Sequence, residues 1–330
     1  MRIAINGMGR IGRLLFRRLV MMPGVELVAV NDIMELHQLA YLLRYDSVYG
    51  PATFEIAVEN NELIAAGQTI RFLHEPAPAK LPWKALQVDL VLECTGKFLT
   101  KALASQHLEA GAGNVILSTT GAEDIPLRIY GFNQHQLNGD KHLISPGGCM
   151  TNCSTHLIYL MQSIGIESVH INVLHSYTSR QELVDGPHKD LRRGRAAAES
   201  IIPVSVDLGQ SLERLFVLLK GCIYTITTRV PVANGALANF VFQMKEAVTA
   251  AQVNELFKQA AKREYKDIIQ YTEDPLVSLD IKGNSHSAII DGSLTTVTGR
   301  TVNLMAFFDN EYGYTSRVID WVRFVGAGKL

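Results

Sequence analysis

One strand-turn-helix cue near the amino terminus limits the fold more than any other stretch. Residues 2–6 read Arg-Ile-Ala-Ile-Asn, an apolar run of strand length, and Gly7-x-Gly9-x-x-Gly12 follows at once. A helical pattern then opens, with Leu14, Leu15, Leu19 and Val20 on one face among Arg13, Arg17 and Arg18. After Pro23-Gly24 a second apolar run, residues 25–30, ends in Asn31-Asp32, so an acidic residue stands 20 positions past Gly12. A GxGxxG pattern alone says little. Set between a strand and a helix, with that aspartate, it is a dinucleotide fingerprint. Gly7, Gly9 and Gly12 permit a tight turn and close approach of a pyrophosphate, which the helix N-terminus receives. Asp32 is expected to accept hydrogen bonds from the ribose hydroxyls and to repel a 2′-phosphate, which favours NAD over NADP.

The same alternation continues to about residue 148. Residues 35–45 read as a helix, 53–58 and 68–72 as strands about a turn at Asn60-Asn61, and 88–93 as a buried strand ending in Cys94-Thr95-Gly96. Residues 100–110 read as a helix, and 114–117 as a strand ending at Ser118. Such alternation predicts a parallel sheet whose ligand lies beyond the strand carboxyl ends, where Thr95, Gly96 and Ser118 fall. As single residues these also suit ordinary turns. After residue 149 the pattern changes to runs at 169–174, 223–231, 239–245, 287–290, 295–298 and 302–308, with helical patterns at 247–263 and 315–325. We therefore expect an α/β chain: a Rossmann-type parallel sheet domain plus a second α+β domain with a mostly antiparallel sheet. The expected boundaries are 1–148 for the nucleotide domain, with the helix 315–330 packing back on it, and 149–314 for a catalytic domain.

Between the two halves lies Ser145-Pro-Gly-Gly-Cys149-Met-Thr-Asn-Cys153, a turn leading into a helical pattern. A cysteine at a helix N-terminus has its thiolate stabilised by unpaired N–H groups and the helix dipole. The adjacent glycines let the same N–H groups face an oxyanion. A buried cysteine in a tight turn is the competing reading. A nucleophilic thiolate next to a nicotinamide suits oxidation of an aldehyde through a thiohemiacetal and a thioester. That chemistry needs a proton acceptor, and His175, at the end of the run 169–174, is a candidate beside His156, His170 and His286. The long polar segment from Ser176 to Arg195 reads as a functional loop or an interface. A zinc site from Cys149, Cys153 and a histidine is a further alternative, although the spacing fits no structural-zinc pattern; no metal is expected.

Composition narrows the class. The chain has 330 residues, a formal net charge of −1 and four cysteines. It is long enough for two domains. Its charge calls for neither nucleic acid nor a membrane surface as partner. The cysteines do not form a disulfide framework, and no apolar run approaches bilayer length, so a cytoplasmic, reducing setting is expected.

The segments 5–13, 93–96, 149–153, 175–178, 185–193, 201–203, 229–231 and 309–314 together resemble the glyceraldehyde-3-phosphate dehydrogenase family over nearly the whole chain. The resemblance implies Cys149 as nucleophile and His175 as its base and as a donor to the oxyanion. It implies NAD contacts at Arg10, Ile11, Asp32, Ser118, Asn310 and Tyr314, with Asp32 and Pro187 similar to the NAD-preferring members. It further implies a small phosphorylated aldehyde as substrate, gripped by Thr178 and Arg229 with Arg193 close by, and a homotetramer active in carbohydrate metabolism.

The departures from that family pattern are informative. Around the nucleophile this chain has Pro146, Gly147, Gly148 and Met150 where the family reads Ser-Asn-Ala-Ser before the cysteine and Thr after it. Past Ile201-Ile-Pro203 it has Val206-Asp207 in place of Thr-Gly. The lost hydroxyls normally help hold the attacking inorganic phosphate, and an inward Asp207 would oppose an anion. We therefore expect poor use of inorganic phosphate. Residues 271–278 and 286–292 are similar to the erythrose-4-phosphate dehydrogenases, while 176–187 reads more like the glyceraldehyde-phosphate enzymes. A paralogue that binds NAD without catalysis is the non-enzyme alternative; retention of Cys149, His175, Thr178 and Arg229 together speaks against it.

Overall fold

In the computed structural model, residues 1–136 and 142–328 are described. Contacts divide the chain into two units, one from Met1 to Gly148 together with the chain from Arg317 onward, the other Cys149–Ser316. The last two residues of the helix expected at 315–330 lie outside the described residues.

The first unit is built in chain order from β1 (Arg2–Asn6), α1 (Arg10–Leu19), β2 (Glu26–Asn31), α2 (Leu36–Arg44), β3 (Ile56–Glu59), β4 (Glu62–Ala65), β5 (Gln68–Leu73), β6 (Leu90–Glu93), α3 (Lys101–Ala104), α4 (Gln106–Glu109), β7 (Asn114–Leu117) and β8 (Leu143–Ile144). The strands form one sheet in the order β3-β4-β5-β2-β1-β6-β7-β8. From β5 to β8 every pairing is parallel. Strand order runs outward from β1 in both directions, and such a switch point opens a ligand crevice at the strand carboxyl ends. Ile3, Ala4 and Ile5 are fully buried, as the centre of a sheet covered on both faces requires.

Two local features depart from the sequence reading. Asn60 and Asn61 both take left-handed φ, 50° and 62°, which makes a two-residue hairpin turn and adds the antiparallel strand β4 at once. That strand is too short to show a period in sequence. The helix expected at 100–110 is broken at Ser105 into α3 and α4, and His107 on the second piece is fully buried.

The second unit contains α5 (Cys149–Gln162), β9 (Ile166–Ser176), β10 (Ile202–Val204), α6 (Leu208–Leu215), β11 (Ile223–Val230), β12 (Ala236–Met244), α7 (Ala250–Lys262), β13 (Ile269–Thr272), β14 (Ala288–Thr298) and β15 (Thr301–Phe308). The helix α8 (Tyr312–Gly326) starts here, and from Arg317 it belongs to the first unit. The sheet order is β10-β11-β9-β12-β15-β14-β13. Only β11–β9 and β13–β14 pair in parallel, so the sheet is mostly antiparallel. The runs 287–290 and 295–298, read as separate strands, are one strand, β14, with an irregular register between Asp291 and Thr296. Asp291 Oδ1 accepts the N–H and hydroxyl of Ser293 at that irregularity. Alternation sets the core: β12 buries Ala236, Ala238, Phe240, Phe242 and Met244, and β9 buries Val169, Ile171, Val173 and His175. The α/β arrangement is the one the sequence implies.

A Cβ built on Gly12 meets the backbone oxygen of Gly7 at 2.0 Å, whereas one on Gly9 meets nothing within 4 Å. Gly12→Ala is therefore expected to lower the thermal stability of the free protein by roughly 1–3 kcal/mol, as overpacking does. Gly9→Ala should cost less, about 0.5–1 kcal/mol for the poorer N-cap, and should chiefly weaken NAD binding by filling the space a pyrophosphate needs. Melting curves with and without NAD check both.

Candidate active site

In the first unit the fingerprint turn is closed by backbone. Gly7 has φ +93° and donates its N–H to Asn31 O at 2.8 Å. Gly9 is the N-cap of α1 and no side-chain oxygen caps that helix, which leaves its first N–H groups for an anion. The donors there are Arg10, Ile11 and Gly12. Arg10 spends its guanidinium on Asp46 at 2.5 Å, so it would serve an anion at the helix start through its backbone N–H. Asp32, the residue just after β2, accepts Met8 N at 2.5 Å and Met34 N at 2.9 Å on its carboxylate. A carboxylate has about four acceptor sites, so it keeps capacity for ribose hydroxyls. Thr95 and Gly96 follow β6. Ser118 follows β7, with its N–H on Glu93 O at 2.8 Å. These residues fit a dinucleotide at the strand ends.

In the second unit strand register assembles the chemistry. Position 175 lies directly beside 229 on parallel β11 and beside Ala236 on β12. Parity turns His175 and Arg229 to the buried face, which α5 also contacts. Cys149 is the first residue of α5, half-buried, with Sγ 3.6 Å from His175 Nε2. His175 Nδ1 lies 2.7 Å from Ser176 O and 2.5 Å from Arg229 Nη1, and that same Nη1 donates to Ser176 O at 3.0 Å. The carbonyl asks for Nδ1–H, which leaves Nε2 free to accept the thiol proton; the guanidinium asks for the opposite tautomer.

Charge follows the same geometry. Burial pushes the Cys149 thiol up to about 11, against the pull of Arg229 and of the Met150 and Cys149 N–H groups. Burial, then the Arg229 charge, lowers His175 to about 3. The free protein therefore holds a neutral thiol against a neutral imidazole. The helix N-terminus expected to give a ready thiolate is present, but desolvation outweighs it.

The rival histidines separate cleanly. His170, an odd number of residues from His175, lies on the exposed sheet face and stacks on Tyr224 at 4.6 Å. His156 is buried within α5 against Tyr265, and His286 contacts Asn284 and the backbone of Lys266. Cys153 is buried one turn along from Cys149, and among the described residues no group of three or more His, Cys, Asp or Glu side chains could hold a metal ion.

Arg229 and the loop after β9 carry a set of unspent donors. Gln181 Oε1 accepts both the N–H and the hydroxyl of Thr178 at 3.0 Å, and its buried Nε2 has no partner. Arg229 Nε and Arg193 Nη1 are likewise buried without partners. Arg193 is steered by Asp190 at 3.3 Å and by Ser205 O at 3.4 Å. Burial, with smaller contributions from the charges of Arg193 and Arg180 and against the pull of Cys149, lowers Arg229 to about 10, and those contributions place three cations near one point. Unpaired buried donors on cations are what an oxyanion satisfies. Asn310 Oδ1 accepts Gly235 N at 2.8 Å and the Ser176 hydroxyl at 3.2 Å, so its amide nitrogen is the end left to donate. Tyr314 is buried at the start of α8.

The positions that depart from the family pattern are also in place. Gly148 has nothing closer to its built Cβ than Thr120 Oγ1 at 3.9 Å. Met150 Sδ accepts the Thr227 hydroxyl at 3.7 Å. Val206 is half-buried, and Asp207 is the exposed N-cap of α6 with no side-chain capping bond.

Residues 1–101 match the family description "Glyceraldehyde 3-phosphate dehydrogenase, NAD binding domain" and residues 148–310 match "Glyceraldehyde 3-phosphate dehydrogenase, C-terminal domain". The chain belongs to the glyceraldehyde-3-phosphate dehydrogenase family. It is 40% identical over 329 residues to glyceraldehyde-3-phosphate dehydrogenase 2 of Bacillus subtilis (strain 168), covering 99% of this chain and 97% of that one. It is 39% identical over 333 residues to glyceraldehyde-3-phosphate dehydrogenase of Geobacillus stearothermophilus, covering 100% of this chain and 99% of that one. As a member it is an NAD-dependent aldehyde dehydrogenase with an NAD-binding domain.

Gln181, Ser176 and Thr227 were not singled out in sequence. Gln181 carries a weak signal, standing three residues from Thr178; the other two emerge only from strand register.

The neutral pair predicts a pH signature. His175 sits below its unfolded value near ~6.5, and Cys149 above its unfolded value near ~8.5. Unfolded chains therefore bind extra protons below about pH 6.5 and release one above about pH 8.5, so this pair favours folding most between those limits. Alkylation of Cys149 by iodoacetamide in the ligand-free protein should keep rising past about pH 8.5. In Arg229→Leu, NMR titration should show the His175 transition moving up toward ~6.5, without reaching it because burial remains.

Proposed function

We propose that the chain oxidises a small phosphorylated aldehyde, similar to glyceraldehyde 3-phosphate, with NAD. The observation that carries this reading is the buried, unpartnered Nε of Arg229 next to the Cys149–His175 pair, joined by unpartnered donors on Arg193, whose charge reaches Arg229, and on Gln181 in the loop after β9. A phosphate on those donors fixes the aldehyde's far end, and Cys149 takes its carbonyl carbon. As the C–S bond forms, the thiol proton passes to His175 Nε2, and the carbonyl oxygen becomes the oxyanion that the N–H groups at the start of α5 and the protonated imidazole stabilise. His175 then holds the hydroxyl proton of the thiohemiacetal as the C–H bond breaks and a thioester remains. NAD, when bound, supplies the hydride acceptor. An anion on Arg229 also offsets the charge that weakens His175, so the base strengthens as substrate arrives.

The acyl acceptor is where this chain differs. Gly148, Met150 and Val206 bring no hydroxyl; Asp207, expected to oppose an anion if it points inward, is exposed at the N-cap of α6, so the lost hydroxyls carry the reading. We infer that inorganic phosphate discharges the thioester poorly and that water or another acceptor competes. Erythrose 4-phosphate, one carbon longer, is the alternative substrate that the same features favour.

Self-association is part of the proposal. The sheet face opposite the helices exposes Leu174, Tyr224 and Ile226, and the loop from 177 to 201 exposes Leu183, Val184, Leu191 and Ile201. Apolar exposure on this scale supports a homotetramer. Four free cysteines suit a reducing cytoplasm. Nucleic acid has no part in the scheme, and no described helix is long and apolar enough to cross a membrane.

The test measures NADH formed from glyceraldehyde 3-phosphate, erythrose 4-phosphate and unphosphorylated aldehydes, each with and without inorganic phosphate. Phosphorylated aldehydes should win by more than about tenfold, in line with a charge-assisted contact worth ~1.5–3 kcal/mol. Added phosphate should change the rate less than about threefold, under ~0.7 kcal/mol. A strong phosphate dependence with a low-millimolar KM would refute the acceptor reading. Asp207→Gly with Val206→Thr should improve phosphate use; no change would shift the cause to Gly148 and Met150.

A further inference from the structure

Beneath the carboxyl ends of β1, β2 and β6 lies a polar cluster that the chemistry above does not use. Glu93, the last residue of β6, is fully buried, and so is His107 on α4. Glu93 Oε1 accepts Thr95 N at 2.7 Å and the Thr95 hydroxyl. Its Oε2 accepts Asn6 Nδ2 at 2.5 Å and lies 2.9 Å from His107 Nε2. On the far side of the ring, Trp83 Nε1–H donates to His107 Nδ1 at 2.9 Å. Indole N–H is only a donor, so Nδ1 must accept and the proton must sit on Nε2. His107 is thus a neutral imidazole fixed in one tautomer. Four donors then converge on Glu93, which is the pattern of an ionised carboxylate, since a carboxylic acid would have to give one of those positions a proton of its own.

The groups held are those at the dinucleotide edge. Asn6 precedes Gly7, and its Oδ1 accepts Asn31 Nδ2 at 2.6 Å, next to Asp32. Thr95 opens the loop after β6, and its hydroxyl accepts Lys97 N at 3.1 Å. A Cβ built on Gly7 would lie 2.6 Å from Thr95 N, so the fingerprint turn rests on the backbone that Glu93 pins. Such a network leaves little play, because a buried carboxylate that loses donors is costly.

We propose that Glu93, oriented by His107, is a positioning residue for NAD: it ties the Gly7 turn, the Asp32 strand end and the Thr95-Gly96 loop into one rigid rim. This rests on NAD binding by the first unit and not on the identity of the aldehyde. Glu93→Gln replaces one acceptor oxygen by an NH₂ group facing existing donors, and the rim must shift. His107→Leu removes the donor to Glu93 and the acceptor for Trp83. His107→Gln keeps one of each at similar spacing.

The experiment titrates NAD into wild type and the three variants by fluorescence, alongside melting curves without NAD, iodoacetamide alkylation of Cys149 without NAD, and steady-state KM and kcat. Glu93→Gln and His107→Leu should weaken NAD at least tenfold, seen as raised KM for NAD with kcat at saturation changed less than threefold. Alkylation of Cys149, in the other unit, should match wild type. His107→Gln should bind NAD within threefold of wild type. Glu93→Gln binding NAD within twofold of wild type overturns the proposal. So does His107→Gln weakened as much as His107→Leu, a comparison that decides the matter even if Glu93→Gln does not fold. Wild-type protein that binds no NAD would instead overturn the reading of the first unit itself.

Discussion

The parallel pairing of β9 with β11 is the constraint on which the catalytic half depends. In that register His175 has Arg229 as its lateral neighbour, and the two-residue period of a strand sends both side chains under α5. A slip of one residue would carry the imidazole to the solvent-facing side, where His170 already stacks on Tyr224. The small Ala236 on the other flank leaves room for the ring. Cys149 then meets Nε2 because a helix starts there, after a turn that two glycines make possible. Each placement is ordinary; their coincidence makes the site.

Arg229 links two functions that are usually described apart. One guanidinium edge lies on His175 and Ser176 O, while its Nε–H is buried and unspent. The group that would grip a substrate's anion is thus the same group that suppresses the base. The first unit solves a similar problem without a cation. There a carboxylate is kept below the sheet edge by neutral donors alone, and the loops that supply those donors are the ones a dinucleotide would touch.

Much of this was legible in the sequence. The fingerprint turn, β1, β2 and the start of the reactive helix are marked by glycine spacing and by apolar runs that tertiary contacts do not override. The segments 149–153, 175–178 and 309–314 carry the family resemblance in sequence alone. Other parts were hidden for physical reasons. Strand β4, Glu-Leu-Ile-Ala, is neither a continuous apolar run like β7 nor long enough to show alternation, and only the paired left-handed asparagines announce it. The break at Ser105 changes few backbone angles, and the stretch reads as one helix. Residue pattern alone leaves four histidines open; the family resemblance points to His175, and parity and register supply the physical reason. The charge balance at Cys149 is hidden for a different reason: a helix N-terminus is visible in sequence, but the desolvation that opposes it is a property of the packed site. Glu93 left a trace, an acidic residue closing an apolar run, whose meaning depended on His107 arriving from another segment.

A thiol that stays protonated at rest has a consequence for durability. Alkylating and oxidising agents attack the anion far faster than the neutral group, so the burial that raises the Cys149 thiol also slows such attack on the ligand-free protein. The desolvation that delays the nucleophile also acts as its preservative.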